Sequence, residues 1–177
     1  MRVRLGDIVA CLMILIPLAA SSQYHSGRLN ELYRYVEQTD SLAFKSQKIF
    51  YLEKFLKDDH NYRETWRFTT NNDRVVFFQV DYILDSLEFT EVYYLNRGRL
   101  VCSEEYEKVN YSYMEDKLTF GSILYFDSAI PRHVVMLGRK TDGWNNDDPG
   151  FVALSRFEKR YSELRRHLPM VAVNNKY

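Results

Sequence analysis

Apolar positions along this chain change their spacing twice, and the two changes separate a helix, a run of strands and a second helix. Leu29, Leu32, Tyr33 and Val36 recur three and four residues apart, with Arg28, Asn30, Glu31, Arg34 and Glu37 between them. That period predicts an amphipathic helix over Ser26 to Gln38. Thr39-Asp40-Ser41 can end it or start another. Residues 42–57 carry two patterns: Leu42, Ile49, Leu52 and Leu56 suit a helix, while Phe44, Phe50 and Leu52 with Lys48 suit an edge strand. A short extended piece followed by a turn of helix is the expectation there.

From Tyr62 the period is two. Tyr62, Trp66 and Phe68 alternate with Arg63, Thr65 and Arg67, and the turn formers Thr70 to Asp73 follow. Val76, Phe78, Val80, Tyr82 and Leu84 then share a face, and after Asp85-Ser86 so do Phe89, Glu91, Tyr93 and Leu95. Asn96-Arg97-Gly98-Arg99 is the clearest hairpin turn, its glycine supplying positive φ. The next strand places Leu100, Cys102 and Tyr106 on one side and Val101, Ser103, Glu105 and Glu107 on the other. Beyond a polar stretch, Leu118 to Phe126 and Ile130 to Leu137 flank Asp127-Ser128-Ala129. Three hairpins (Phe68 to Val76, Tyr94 to Val101, Tyr125 to Val135) share one form: aromatic strand end, polar turn, basic residue, aliphatic strand start. Such copies allow an internal repeat, and hairpins without helical crossovers imply a meander.

Helical spacing returns at the C-terminal end. Asp148 is placed to cap, Pro149 suits the first helical position, and Phe151, Leu154, Phe157, Tyr161, Leu164 and Leu168 form one stripe. Pro169 is expected to end the helix, leaving a tail over 169–177. The fold class is α+β: an antiparallel β-meander of six or seven strands with an N-terminal and a C-terminal amphipathic helix, both covering the one buried face.

The first residues bear on location. Arg2 and Arg4 precede an apolar run of thirteen from Ile8 to Ala20, and Ser21-Ser22 follow, which matches the three parts of a secretory signal peptide. A membrane-spanning helix needs about 20 apolar residues. Residues 1–22 are therefore expected to be cleaved after Ala20 or Ser22, leaving one domain over 23–168 in a periplasmic or secreted protein. Ile8-Val9-Ala10-Cys11 resembles a lipobox, but most of the apolar stretch follows the cysteine, so lipid anchoring through Cys11 is not expected. Without residues 1–22 the charge is close to neutral, about −1, which gives no pull toward nucleic acid or anionic lipid. Cys102 is then the single thiol, expected as a small buried hydrophobe.

Candidate chemistry is sparse. His25, His60, His133 and His167 have no metal-pair spacing and are expected at the solvated surface. The oxygen-rich loop Thr141 to Asp148 fails the calcium-loop pattern, with Trp144 at position 3 and Ala153 at position 12. No metal or cofactor is expected. Two carboxylates can hydrolyse a glycan only at a suitable separation across a cleft, and Glu105 and Glu107, two apart on one strand, point the same way, which suits a solvated face better. The basic side of the last helix, Arg156, Lys159, Arg160, Arg165 and Arg166, also suits solvent. Aromatics are in excess, with 14 tyrosines, 11 phenylalanines and 2 tryptophans. Most serve strand packing, while Tyr94, Tyr106, Tyr125 and Trp144 are candidates for an aromatic binding surface.

Tyr93-Tyr94-Leu95-Asn96-Arg97-Gly98-Arg99-Leu100-Val101 resembles the "YYF-x-N-G-K-L" hairpin of uncharacterised exported proteins of Bacteroidota. Their order of signal, short helix, aromatic hairpins and terminal helix also matches over residues 28 to 168 in outline. The second strand, Tyr125-Phe126, departs from the pattern, with Ser128-Ala129 where N-G would stand. The resemblance implies an exported α+β domain and no activity. It also makes Asp40-Ser41-Leu42, Asp85-Ser86-Leu87 and Asp127-Ser128-Ala129 resemble the D-S/T-apolar acceptors of O-glycosylation in that group, with Ser41, Ser86 and Ser128 as candidates. The expected function is a non-enzymatic binding or interaction module for a protein or glycan of the cell envelope. An envelope hydrolase using strand carboxylates is the alternative.

Overall fold

The period-two stretches form seven antiparallel strands that pair in chain order, in a computed structural model that describes residues 27–55, 61–109, 117–138 and 148–174. They are β1 (Lys48–Phe55), β2 (Asn61–Asn71), β3 (Arg74–Leu84), β4 (Leu87–Asn96), β5 (Arg99–Val109), β6 (Lys117–Asp127) and β7 (Ile130–Gly138). Helix α1 covers residues 27–46 and helix α2 spans Pro149–Asn174. This is the expected α+β meander. The proposed signal, Trp144 and most of the oxygen-rich loop lie outside the described residues.

The three similar hairpins are one device used three times. Each closes on a two-residue turn: Asn72-Asp73, Arg97-Gly98 and Ser128-Ala129 lie between the terminal pairs Asn71–Arg74, Asn96–Arg99 and Asp127–Ile130. Asn72, Asp73, Arg97, Gly98 and Ser128 have φ between 50° and 78°, the left-handed backbone that tight hairpins need. In each copy the register then slips by one residue, leaving Val76, Val101 and Arg132 without a partner. A bulge of this kind moves neighbouring side chains to new faces. It is why Leu100 joins one core and Cys102 the other, whereas simple alternation put them on the same side.

Both faces of the sheet are covered, in contrast to the expectation of one. Trp66, Phe68, Phe78, Val80, Tyr93, Leu95 and Leu124 pack with Phe157 and Leu164 of α2. On the opposite face Phe77, Val92, Tyr94 and Cys102 pack with Val36 and Ala43 of α1. The cause lies in the strands' own composition. Phe77-Phe78 and Val92 to Leu95 are consecutive buried residues, so neither face could be left to water at that level of the sheet.

Two helix limits also differ from expectation. Helix α1 continues through Thr39-Asp40-Ser41 to residue 46, and β1 follows it, which inverts the order expected for 42–57. Thr39 donates its hydroxyl to the Tyr35 carbonyl at 2.8 Å and Ser46 to that of Leu42 at 2.9 Å, so these turn formers are satisfied inside the helix. Helix α2 starts as expected, with the Asp148 carboxylate accepting from the Gly150 N–H at 2.7 Å and Pro149 in the first turn. It then passes through Pro169 to Asn174 rather than stopping there. A proline so close to the end removes one intrahelical hydrogen bond, and few turns remain to be disturbed.

Gly138 closes β7 with φ 75°, and a Cβ there would stand 1.9 Å from the Thr119 carbonyl oxygen. Gly138→Ala is expected to destabilise by more than about 2 kcal/mol in urea melts, as strain and clash add. A loss within about 0.5 kcal/mol would mean that the β6–β7 end relaxes freely.

Candidate functional site

Tyr94, Tyr106 and Tyr125 do share a sheet face, but α1 covers it. Tyr94 is 4% exposed and donates to Asp40 of α1 at 2.8 Å. Tyr106 donates to Glu104 at 2.7 Å, and the Tyr125 ring meets Tyr33 of α1 edge-on at 4.6 Å and also approaches His133. Cys102 is fully buried beside them, as expected, and burial pushes its thiol far above the usual range. Burial also raises the Glu104 carboxyl, with Asp40 adding to the effect and the Tyr106 and Tyr94 hydroxyls opposing it. Of the tyrosines expected to meet a ligand, Tyr94 is thus buried and Tyr106 and Tyr125 half-buried, with the Tyr94 and Tyr106 hydroxyls given to Asp40 and Glu104.

A second polar cluster lies on the other face, beneath α2. Glu64 of β2 and Glu91 of β4 occupy positions that alternation assigns to the core, and they are 0% and 2% exposed. Arg160 of α2 reaches both. Its Nε and Nη2 donate to the two oxygens of Glu91 at 2.8 and 3.0 Å, and its Nη1 donates to Glu64 at 2.7 Å. Trp66 Nε1 supplies Glu64 at 2.9 Å, while Tyr82 and Tyr93 donate to Glu91 at 3.1 and 3.0 Å. Burial pushes the Glu91 carboxyl up, but the hydrogen bonds and charge of Arg160, with Arg156 and Tyr93, prevail and hold it below its ordinary value of 4.5. Lys54 of β1 contacts Glu64 at 3.6 Å and pairs with Glu163, which ties the first strand into the same cluster.

Glu105 and Glu107 also face α2. Glu107 is fully buried and accepts from Thr119 at 2.8 Å, and Glu105 pairs with Arg156. They are not solvated, which differs from the surface expectation. The space beside Glu105, Arg156, Ser103 and Ser122 is about 10 Å³, room for a single water at most.

Larger spaces open at the end of the sheet that carries the repeated turns. A groove of about 610 Å³ lies between α1 and the turns, with Arg28, Tyr35, Arg97, Arg99 and Asp127 on its walls. Another of about 590 Å³ lies between the β4–β5 turn and α2, walled by Gly98, Tyr161, Arg165 and Arg166. Each is the size of a small-ligand site.

Ser41, Ser86 and Ser128 are exposed, the first on α1 and the others in turns. His133 and His167 are half-buried against rings, His167 stacked on Phe50 at 6.0 Å, rather than solvated. His25 and His60 fall outside the described residues. Reading the basic side of α2 as uniformly solvated missed Arg156 and Arg160. Their i, i+4 spacing beside Phe157 and Leu164, with carboxylates at apolar-face positions of β2 and β4, was the available signal. Among the described residues no cluster of His, Cys, Asp or Glu could hold a metal, and no helix is long and apolar enough to cross a membrane. Comparison with protein-family models, curated proteins and solved structures finds no match.

Removing Arg160 takes the forked contact from buried Glu91 and leaves Lys54, at 3.6 Å, as the cation on buried Glu64. Arg160→Met is expected to lower stability by about 3–5 kcal/mol. Arg160→Lys should recover only part of this, since an ammonium does not reproduce the forked contact with Glu91 and Glu64. The pH dependence should change sign as well. Glu91 with its lowered pKa makes the native protein lose stability as pH falls through the carboxylate range. In Arg160→Met burial keeps its full effect while Arg156 and the Tyr93 hydroxyl are left to oppose it, so that pKa should rise and stability should fall as pH rises through the carboxylate range. Urea melts across that range would show parallel slopes if Arg160 did not hold Glu91 ionised.

Proposed function

We propose that this protein is an exported, non-catalytic binding module that contacts an extended polypeptide of the cell envelope along the free edge of β7. The edge strand's composition carries the reading. Ile130, Val134, Val135, Met136 and Leu137 are exposed, from 41% at Val134 to 63% at Leu137, and they lie on both faces of the strand. No charged residue occurs from His133 to Gly138. Sheet edges normally carry charge that discourages pairing. The opposite edge follows that rule, since β1 holds Lys48, Glu53 and Lys54. An uncharged apolar edge that pairs with no further strand among the described residues suits the addition of a partner strand.

The carboxylates support binding over hydrolysis. Glu105 is held by Arg156 beside a space of about 10 Å³, and Glu107 is bonded to Thr119, so neither faces a cleft that admits a substrate. Export rests on the charged, apolar and small-residue order of residues 1–22. N-terminal sequencing of native material should begin after Ala20 or Ser22, and a retained Met1 would refute it. An intact mass above that of the bare chain would support sugar on Ser41, Ser86 or Ser128.

A photocrosslinker at Val134, in the native envelope, tests the edge. It should give one discrete adduct with another protein, absent when the crosslinker stands at Ser86, and lost in a Val135→Lys, Leu137→Lys variant. Absence of any adduct, equal adducts at both positions, or an adduct with a second copy of this chain would overturn the proposed partner.

A further inference from the structure

The repeated hairpins place arginines in a row, and the partner they suit is different in kind from the one proposed for β7. Turns β2–β3, β4–β5 and β6–β7 lie at the same end of the sheet, and each is followed closely by an arginine: Arg74, Arg99 and Arg132. Neighbouring strands lie about 4.8 Å apart, so consecutive turns at this end are spaced by about 10 Å. Arg97, at the tip of the central turn, adds a charge where the two grooves meet. Arg28 reaches the row from α1, and Arg165 and Arg166 reach it from α2.

Interior and end are treated differently. Arg156, Arg160 and Arg67 each pair with a buried or half-buried carboxylate. At the turn end Glu31 and Asp127 contact Arg28, and Asp127 also approaches Arg132 at 3.7 Å. Among the described residues no carboxylate pairs with Arg97, Arg99, Arg165 or Arg166. Glu158, on the second groove's wall, pairs with neither arginine there. The central turn is a saddle between the grooves, and Gly98 keeps it low: its φ of 78° disfavours a side chain, and a Cβ would stand 3.8 Å from the Tyr161 hydroxyl.

We infer that this end binds an acidic polysaccharide, laid across the β4–β5 turn with its anionic groups in the two grooves. A chain with recurring charges can engage Arg28, Arg97 and Arg99 in one groove and Arg165 and Arg166 in the other at once, which one small anion does not. Tyr35 and Tyr161 line the groove walls, the Tyr35 hydroxyl given to the Leu95 carbonyl and the Tyr161 ring stacked on Phe157, so each leaves only its outward side for sugar. The near-zero overall charge gives no general attraction for polyanions, so selectivity must come from this local array. The inference does not depend on the β7 edge, which lies along a different boundary of the sheet.

Equilibrium binding of the purified mature chain to polygalacturonate, dextran sulfate, neutral dextran and a single-stranded oligonucleotide tests it. One or both acidic polysaccharides should bind and neutral dextran should not; which one binds tells carboxylate from sulfate recognition. Affinity should fall with salt, as expected when counterions are displaced. Arg97→Ala, Arg99→Ala and Arg165→Ala, Arg166→Ala should each weaken binding at least tenfold, while lysine at the same positions retains most of it. Arg63→Ala, at the opposite end of β2, should leave it unchanged. These exposed substitutions are expected to leave the melting temperature unaltered, so a loss reports on binding. No binding to either acidic polysaccharide, equal binding to dextran, insensitivity to the arginine changes, or tighter binding of the oligonucleotide would overturn the inference.

Discussion

Arg160 is the interaction on which the arrangement of sheet and helix depends. Its guanidinium enters a surface made otherwise of Trp66, Phe78, Tyr82 and Tyr93, and it satisfies carboxylates from β2 and β4 at once. Glu91 faces Glu105 directly across the β4–β5 pair, a like-charge juxtaposition that a sheet does not favour alone. Arg160 and Arg156, one helical turn apart, answer one carboxylate each, and Arg160 extends to Glu64. Apolar packing would hold a helix on this face in many orientations. The charge pattern selects the one in which both arginines reach their acids. Its cost is desolvation, met by the tyrosine and tryptophan donors that complete the carboxylates' hydrogen bonding.

The same economy of charge separates the interior from the surface. Glu64, Glu91 and Glu105 of the central strands are taken up by α2, whereas among the described residues no carboxylate pairs with Arg97, Arg99, Arg165 or Arg166 at the turn end. Chain neutrality therefore conceals an uneven distribution. The hairpin repeat produces it, because each two-residue turn with its following bulge returns an arginine to the same end. At the lateral boundary β7 presents apolar side chains without charge. Two surfaces of different chemistry thus sit on one sheet, an uncharged apolar edge at β7 and an arginine-rich end at the turns.

Much of the architecture was legible in the sequence. The strands from β2 to β7, their turns and the start of α2 follow from alternation and from turn and cap residues that act locally. The length of α1 did not, since Thr39 and Ser46 look like terminators until their hydroxyls find the carbonyls one turn back. Placement of the helices on opposite faces follows from the consecutive apolar residues Phe77-Phe78 and Val92 to Leu95, while the bulge at Val101 decides that Leu100 and Cys102 join different cores. Tyr94, Tyr106 and Tyr125 share a face, but alternation says nothing of which helix covers it. Glu64 and Glu91 were visible as acids at core positions. What they pair with is a long-range fact, because Arg160 lies 96 and 69 residues away from them in the chain.

The account stands on the coupling between Arg160 and Glu91. A double-mutant cycle of Arg160→Met and Glu91→Gln, measured by urea unfolding near neutral pH, reads that coupling directly. A stabilising coupling of more than about 2 kcal/mol is predicted, with the double variant far less damaged than the sum of the single ones. Additivity within about 0.5 kcal/mol would contradict it and leave the seating of α2 to apolar packing alone.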